Sequence, residues 1–141
     1  MLKMKLVHPD ILYSLGRAGH GAKVLIADTD YPVSTTGGRN ARVIHLNLAP
    51  GQVNCTQVLE AILSAKIIEA AEVMDVPEGQ AKPHVWEEFK QIFQDNGYDL
   101  PLATRERFDF YKVVREDDTA LIIATGDQRE YANLLLTIGS L

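Results

Sequence analysis

The sequence predicts an α/β fold, a single layered domain in which a sheet is flanked by helices. Short apolar runs with the length of buried strands alternate with amphipathic segments of helical period. The 141 residues, 46% of them hydrophobic, are enough for one domain with its own core. No repeat, low-complexity tract or linker divides the chain, so we expect residues 1–141 to form one domain.

The first predicted elements are a helix and two strands. Pro9 suits the first position of a helix over 9–18, and Gly19 is a typical residue to end it. A buried strand follows over 23–28, because this run is almost continuously apolar. We predict a second strand over 42–47.

The middle of the chain contains two further helices around an ambiguous segment. Asn54 caps the first of them, with Gln57 three positions later as in a capping box. Residues 67–76 mix alanines with larger apolar residues and fit either type of element, and we favour a strand. Pro83 suits the start of a helix over 83–96.

The last part of the chain is predicted to contain one helix and two strands. Thr104 is the expected cap of a helix over 105–115. Strands are predicted over 119–125 and 134–138, joined by a loop that contains glycine. Along the chain as a whole, strands and helices are interspersed as in an α/β layered domain.

Charge and cysteine content restrict the class of partner. The net charge is −5 and no run of basic residues occurs, so neither nucleic acid nor an anionic membrane surface is an expected partner. The single cysteine, Cys55, cannot form an internal disulfide and suits a reducing compartment. The first ten residues lack the apolar stretch of a signal peptide, and no apolar run approaches the ~20 residues of a membrane span. We therefore expect a cytoplasmic protein.

His20 is the first candidate for chemistry. It lies between Gly19 and Gly21, so its neighbours give its side chain little cover. Histidine is suited to give and take a proton near neutral pH. The alternative is a histidine that only interacts with the negative end of the preceding helix. The four histidines lack metal-ligand spacing, and no metal site is predicted.

Two further segments place polar groups beside predicted strands. Asp28 ends the strand over 23–28, and ligands of α/β sheets gather beyond the carboxyl ends of strands. It could orient the ring of His20 or accept hydrogen bonds from a ligand; alternatively, it only caps a turn. Tyr131 and Asn133 precede the last strand and could bind a neutral, hydroxyl-rich ligand. From the local pattern alone, an ordinary polar hairpin or turn is the preferred interpretation.

These segments together resemble the ribose pyranase and fucose mutarotase family. The resemblance rests on Gly19-His20, on Asp28 four residues before Pro32, and on Tyr131-Ala132-Asn133 ahead of an apolar strand that ends in Gly139. It extends over nearly the whole chain. The run Arg107-Phe108-Asp109-Phe110-Tyr111 is similar to the fucose mutarotase branch, in which an arginine binds the substrate.

The resemblance implies a mixed sheet and an isomerase that opens and recloses the ring of a free monosaccharide without a metal or organic cofactor. It implies that His20 is the catalytic acid and that the catalytic carboxylate position of the family falls on Asp28, which fixes the tautomer of His20 or holds a hydroxyl. It assigns sugar binding to Arg107 and to the segment Tyr131, Ala132 and Asn133. It also implies a ring-shaped homo-oligomer with sites completed across subunit interfaces. A sugar-binding sensor or transport accessory protein with the same pocket is the alternative.

Overall fold

The computed structural model describes the whole chain, residues 1–141, as one six-stranded mixed sheet with four helices. The predicted α/β class and the mixed sheet are thereby confirmed. In chain order the elements are α1 (Pro9–Arg17), β1 (Lys23–Ala27), β2 (Arg42–His45), α2 (Cys55–Leu63), β3 (Ile68–Met74), α3 (His84–Asp95), β4 (Leu102–Arg105), α4 (Arg107–Val114), β5 (Thr119–Ala124) and β6 (Leu134–Ile138).

The strand order is β2-β5-β1-β6-β3-β4, and β6 is the one strand that runs against the others. The pairs β2–β5, β1–β5 and β3–β4 are parallel. Because β6 is antiparallel to both of its neighbours, β1 and β3 point the same way. The carboxyl ends of β1, β3 and β4 therefore lie at the edge of the sheet where β6 begins.

The two faces of the sheet follow the side-chain period of two. Val24 and Ile26 of β1 pack into a large core with α1, α2 and α3. Leu25 and Ala27 point to the other face, where a smaller core forms against α4. The continuous apolar run of β1 thus reflects burial on both faces, as its sequence predicted.

Most predicted helices and strands are confirmed, and α2 is an example in which a local sequence motif determines where the helix begins. Asn54 Oδ1 accepts a hydrogen bond from Gln57 N at 2.9 Å, while Gln57 Oε1 accepts one from Asn54 N at 3.0 Å. These two bonds are the predicted capping box. The ambiguous segment over 67–76 forms strand β3, as favoured from the sequence.

The prediction that Thr104 caps a helix over 105–115 is wrong. Residues 102–105 form strand β4 at the edge of the sheet, and α4 begins only at Arg107. Glu106 caps the helix, because its carboxylate accepts hydrogen bonds from Phe108 N at 2.9 Å and Asp109 N at 3.1 Å. A four-residue edge strand is too short for its periodicity to be recognised.

None of the four helices has both the length and the apolar character that crossing a membrane requires.

Candidate functional site

A cavity of about 380 Å³ lies at the sheet edge where β1, β3 and β4 end and β6 begins. Polar and aromatic side chains form most of its wall. The wall consists of Asp28, Asp30, Tyr31, Met74, Gln80, Arg107, Tyr111, Glu130, Tyr131 and Asn133. We call this cavity the edge pocket. It includes four of the six residues singled out from the sequence.

Asp28 is the most extensively bonded side chain of the edge pocket. Its Oδ1 accepts hydrogen bonds from Asp30 N at 3.1 Å and Tyr31 N at 3.0 Å. Its Oδ2 accepts from Ala132 N at 3.2 Å and from Asn133 Nδ2 at 2.9 Å. Asp28 thus ties the end of β1 to the start of β6. Asp28 therefore caps the turn after β1, which was one of its two interpretations, and it also lines the pocket, which agrees with the other.

Burial gives Asp28 an unusual acidity. Loss of solvent raises the pKa of this carboxyl group from 3.8 to about 6, although the backbone N–H groups of Asp30, Tyr31 and Ala132 act in the opposite direction. A carboxyl group with a pKa near 6 is able to take up and release a proton close to neutral pH.

Tyr131 has a backbone conformation that residues other than glycine rarely adopt. Its φ of 57° makes it the one residue other than glycine with a positive φ. The turn is held by Trp86, whose Nε1 donates a hydrogen bond to the Tyr131 carbonyl at 3.0 Å. Strained backbone of this kind is common at binding sites, where the rest of the fold enforces it.

The loop that carries Tyr131 is anchored at its other end by Asp127. The guanidinium group of Arg129 binds Asp127 through Nε at 3.0 Å and Nη2 at 2.8 Å, and Cys55 N donates to the same carboxylate at 3.0 Å. Burial alone would raise the pKa of Asp127, but these hydrogen bonds outweigh it and hold the pKa below its ordinary value. The start of this loop is therefore held in a fixed position.

Arg107 brings a positive charge to the edge pocket from the first turn of α4. Its Nε donates a hydrogen bond to the Tyr111 hydroxyl at 3.4 Å, which raises the pKa of the guanidinium group. Arg107 and Tyr111 are four residues apart and so share one helix face. Tyr111 in turn contacts Tyr31 edge to face, with ring centroids 5.4 Å apart.

Tyr31 lies between the edge pocket and the smaller core. Its ring is almost fully buried, and its hydroxyl has no hydrogen-bond partner. Burial raises the pKa of this phenol to about 12. Tyr31 therefore stays neutral and serves as a rigid wall of the pocket.

His20 lies at the opposite edge of the sheet. The adjacent Gly21 N donates to the carbonyl of Ile138, where β6 ends. Five residues of β1 separate this edge from the other, which is roughly 16 Å of strand at about 3.3 Å per residue. Within one chain, Asp28 therefore does not orient the ring of His20.

Glu69, and not Asp28, is the carboxylate partner of His20 within the chain. Its Oε2 is 2.8 Å from His20 Nε2, and the His20 side chain is 59% exposed. His20 also borders a second cavity of about 630 Å³, together with Tyr13, Arg17 and Arg42. The histidine is thus accessible to another molecule.

No three or more His, Cys, Asp or Glu side chains come together in a way that could hold a metal ion. Cys55 is fully buried and lies 3.3 Å from the Thr125 hydroxyl, and burial raises the pKa of its thiol. It therefore has the character of a structural thiol.

Comparison with known proteins agrees with the geometry. A family model described as "RbsD / FucU transport protein family" matches residues 1–141. The chain belongs to this family.

Two curated relatives and one solved structure illustrate the similarity within the RbsD / FucU family. The human protein named fucose mutarotase is 31% identical, over 96% of this chain and 90% of its own length. The D-ribose pyranase of Staphylococcus haemolyticus is 29% identical, over 99% of this chain and 98% of its own. The crystal structure of the fucose mutarotase from Streptococcus pneumoniae in complex with L-fucose superimposes with a TM-score of 0.86 at 25% identity, covering 100% of this chain and 99% of that one.

Sequence analysis of this RbsD / FucU family member missed six residues of the edge pocket. Two of them carried a signal: Tyr31 follows Asp28 closely, and Tyr111 is one helical turn from Arg107. Nothing local marks the others, because they reach the pocket through the sheet order and through loops. These are Asp30, Met74, Gln80 and Glu130.

Proposed function

We propose that this chain is a cofactor-independent mutarotase. It interconverts the anomers of a free cytoplasmic monosaccharide, such as L-fucose or D-ribose, by acid/base-assisted ring opening. The observation that carries the proposal is the edge pocket, in which Asp28, Arg107, Tyr131 and Asn133 line one cavity. The named activities and the bound L-fucose of the relatives point to the same chemistry.

Ring opening of a cyclic hemiacetal needs two proton transfers. An acid protonates the ring oxygen while a base removes the proton of the anomeric hydroxyl, so the bond from the anomeric carbon to the ring oxygen breaks and an aldehyde forms. Rotation of the aldehyde and the reverse steps give the other anomer. In the proposed mechanism His20 is the acid that protonates the ring oxygen, and the carboxylate of Asp28 is the base that takes the proton of the anomeric hydroxyl. When the ring recloses, His20 takes the proton of the attacking hydroxyl, and Asp28 returns its proton to the carbonyl oxygen.

The acid must come from a second copy of the chain. His20 and the edge pocket lie at opposite edges of the sheet, and no histidine lines the pocket. In a head-to-tail ring, the exposed His20 edge of one copy faces the pocket edge of the next. We therefore propose a ring-shaped homo-oligomer in which each site combines Asp28 of one copy with His20 of its neighbour.

The other pocket residues hold the sugar. Arg107 supplies hydrogen-bond donors, and the Tyr131 phenol both donates and accepts. Asn133 and the backbone of Ala132 fix the carboxylate of Asp28, which accepts a hydrogen bond from a sugar hydroxyl. Holding the ring in one orientation supplies much of the entropic advantage of catalysis.

A second candidate is a sugar-binding accessory of transport that does not catalyse. The description of the family as a transport protein family favours this candidate, as does the separation of His20 from the pocket within one chain. This candidate predicts sugar binding without faster exchange of anomers.

Exchange NMR of the anomeric protons separates the two candidates. We expect the protein to speed exchange of L-fucose or D-ribose, and Asp28→Asn to remove most of the acceleration. Asp99→Asn is the matched control, because it makes the same chemical change at an exposed aspartate outside the pocket. Sugar binding seen by saturation transfer without any acceleration would support the accessory candidate and contradict the mutarotase.

A further inference from the structure

Gln80 lines the edge pocket, and its carboxamide has no hydrogen-bond partner within the chain. It lines both the edge pocket and an adjoining cavity of about 380 Å³, and the two cavities meet at Glu130 and Tyr131. The Gln80 side chain is exposed and makes no hydrogen bond within the chain. A carboxamide carries both donors and an acceptor, which suits a sugar hydroxyl.

The backbone at Gln80 is fixed by a turn. Gln80 N donates a hydrogen bond to the carbonyl of Pro77 at 3.1 Å, which closes a four-residue turn. Gly79 has a φ of 83° at the third position of this turn, where a type II turn requires a positive φ. Gln80 is therefore presented from a defined turn.

The base of the same loop is tied to the pocket. Lys82 Nζ binds Asp75 Oδ1 at 3.1 Å, so the two ends of the loop are joined. Lys82 also lies over the ring of Trp86, 5.4 Å from its centroid. Because Trp86 Nε1 binds the carbonyl of Tyr131, the loop and the strained turn share one support.

The amide of Asn133 has little capacity left for a ligand. Its Oδ1 accepts from Asp28 N at 2.9 Å, and its Nδ2 donates to Asp28 Oδ2. Gln80 is consequently the pocket residue with an entirely free carboxamide. A free amide on a fixed turn is the kind of group that orients a neutral ligand.

We infer that Gln80 binds a hydroxyl group of the sugar and so helps to determine which monosaccharide the pocket prefers. This inference rests on the proposed function. A site that hydrogen-bonds a hydroxyl discriminates against an analogue that lacks it, because the amide is then left without that partner. Gln80 thus acts in specificity, away from the proton transfers.

The test compares Gln80→Ala with Gln94→Ala in the anomer-exchange assay. Gln94 is an exposed glutamine on α3 outside every cavity described above, and it serves as the matched control. Loss of one neutral hydrogen bond should raise KM about 3- to 10-fold in Gln80→Ala, with kcat nearly unchanged. Gln94→Ala should keep the wild-type constants, and thermal melting should show that both variants are folded.

Deoxy analogues of the better substrate, each lacking one hydroxyl, make the test specific. For the analogue that lacks the hydroxyl bound by Gln80, wild type and Gln80→Ala should have the same KM. If Gln80→Ala behaves like Gln94→Ala, or if its KM rises equally for every analogue, the inference is overturned while the mutarotase stands. A wild-type protein without any acceleration contradicts the proposed function itself, and the inference with it.

Discussion

Asp28 and Asn133 form a reciprocal pair across strands β1 and β6. Asp28 N donates to Asn133 Oδ1, and Asn133 Nδ2 donates to Asp28 Oδ2, both at 2.9 Å. The two residues are nearly fully buried. This pair joins the only antiparallel strand to β1 at the edge pocket, and it holds the carboxylate that the proposed mechanism uses.

Asn133→Ala should weaken the fold as well as the activity. It leaves Asp28 N and one carboxylate lone pair buried without a partner, so we expect the free energy of unfolding to fall by about 1–3 kcal/mol. Asn47→Ala is the control, because that side chain is exposed and makes no hydrogen bond, and it should change stability by less than about 0.5 kcal/mol. Urea unfolding measures both. Equal stability of the two variants would contradict the role of the pair.

The acidity of Asp28 predicts a pH dependence of stability. Its pKa is raised from 3.8 to about 6, so between these values the folded chain holds a proton that the unfolded chain has released. The contribution of Asp28 to the free energy of unfolding therefore decreases as the pH rises through this range and is constant above it. Carboxyl ¹³C NMR should follow Asp28 with a midpoint near pH 6. A midpoint near 4 would show that burial does not control this group.

At most positions alanine gives a more stable protein than glycine, and the backbone conformation of Tyr131 predicts the opposite order there. At a φ of 57°, an L side chain is disfavoured, so Tyr131→Gly should be more stable than Tyr131→Ala by about 1 kcal/mol. Gln128, in the same loop, has no positive φ. There, Gln128→Ala should equal or exceed Gln128→Gly in stability. The same order at both positions in thermal melting would contradict the strained turn.

Arg107 should matter for activity and little for stability. Its side chain is exposed and its one hydrogen bond, to Tyr111, is long, so Arg107→Ala should unfold like the wild type. If Arg107 donates charge-assisted hydrogen bonds to the sugar, kcat/KM should fall about 10- to 100-fold. Tyr111→Phe keeps the guanidinium group and should show a smaller loss. Unchanged kcat/KM in Arg107→Ala would remove this residue from the site.

Most helices and strands of the fold follow from local sequence patterns. Strand β4 is the exception, and it shows where such patterns fail to predict structure. The Asn54–Gln57 capping box and the apolar run of β1 contain their structure in adjacent residues. The sequence of β4 does not reveal a strand. Four residues show too little alternation of polar and apolar side chains to outweigh Thr104, which is a typical helix cap. The pairing of β4 with β3, distant in sequence, determines its conformation.

The sequence points to individual residues of the edge pocket, and the structure supplies their arrangement. Asp28 and Asn133 are 105 positions apart, and the sequence marks both as candidates without showing that they bond to each other. The separation of His20 from Asp28 follows from the sequence, because the two residues flank the predicted strand over 23–28. The meeting of Asp28 with Arg107 and Asn133 does not, because it depends on the order of strands in the whole sheet. Gln80 carried no signal, since an exposed loop glutamine is ordinary until the loop is placed beside a pocket.

Complementation between two inactive variants tests the central claim, that one copy supplies the pocket and another supplies His20. His20→Ala and Asp28→Asn should each fail to accelerate anomer exchange when assembled alone. Assembled together in equal amounts, they should regain about a quarter of the wild-type rate, because random head-to-tail contacts give that fraction of intact sites. A mixture as inactive as its parents, with mixed oligomers shown to form, would contradict the shared site.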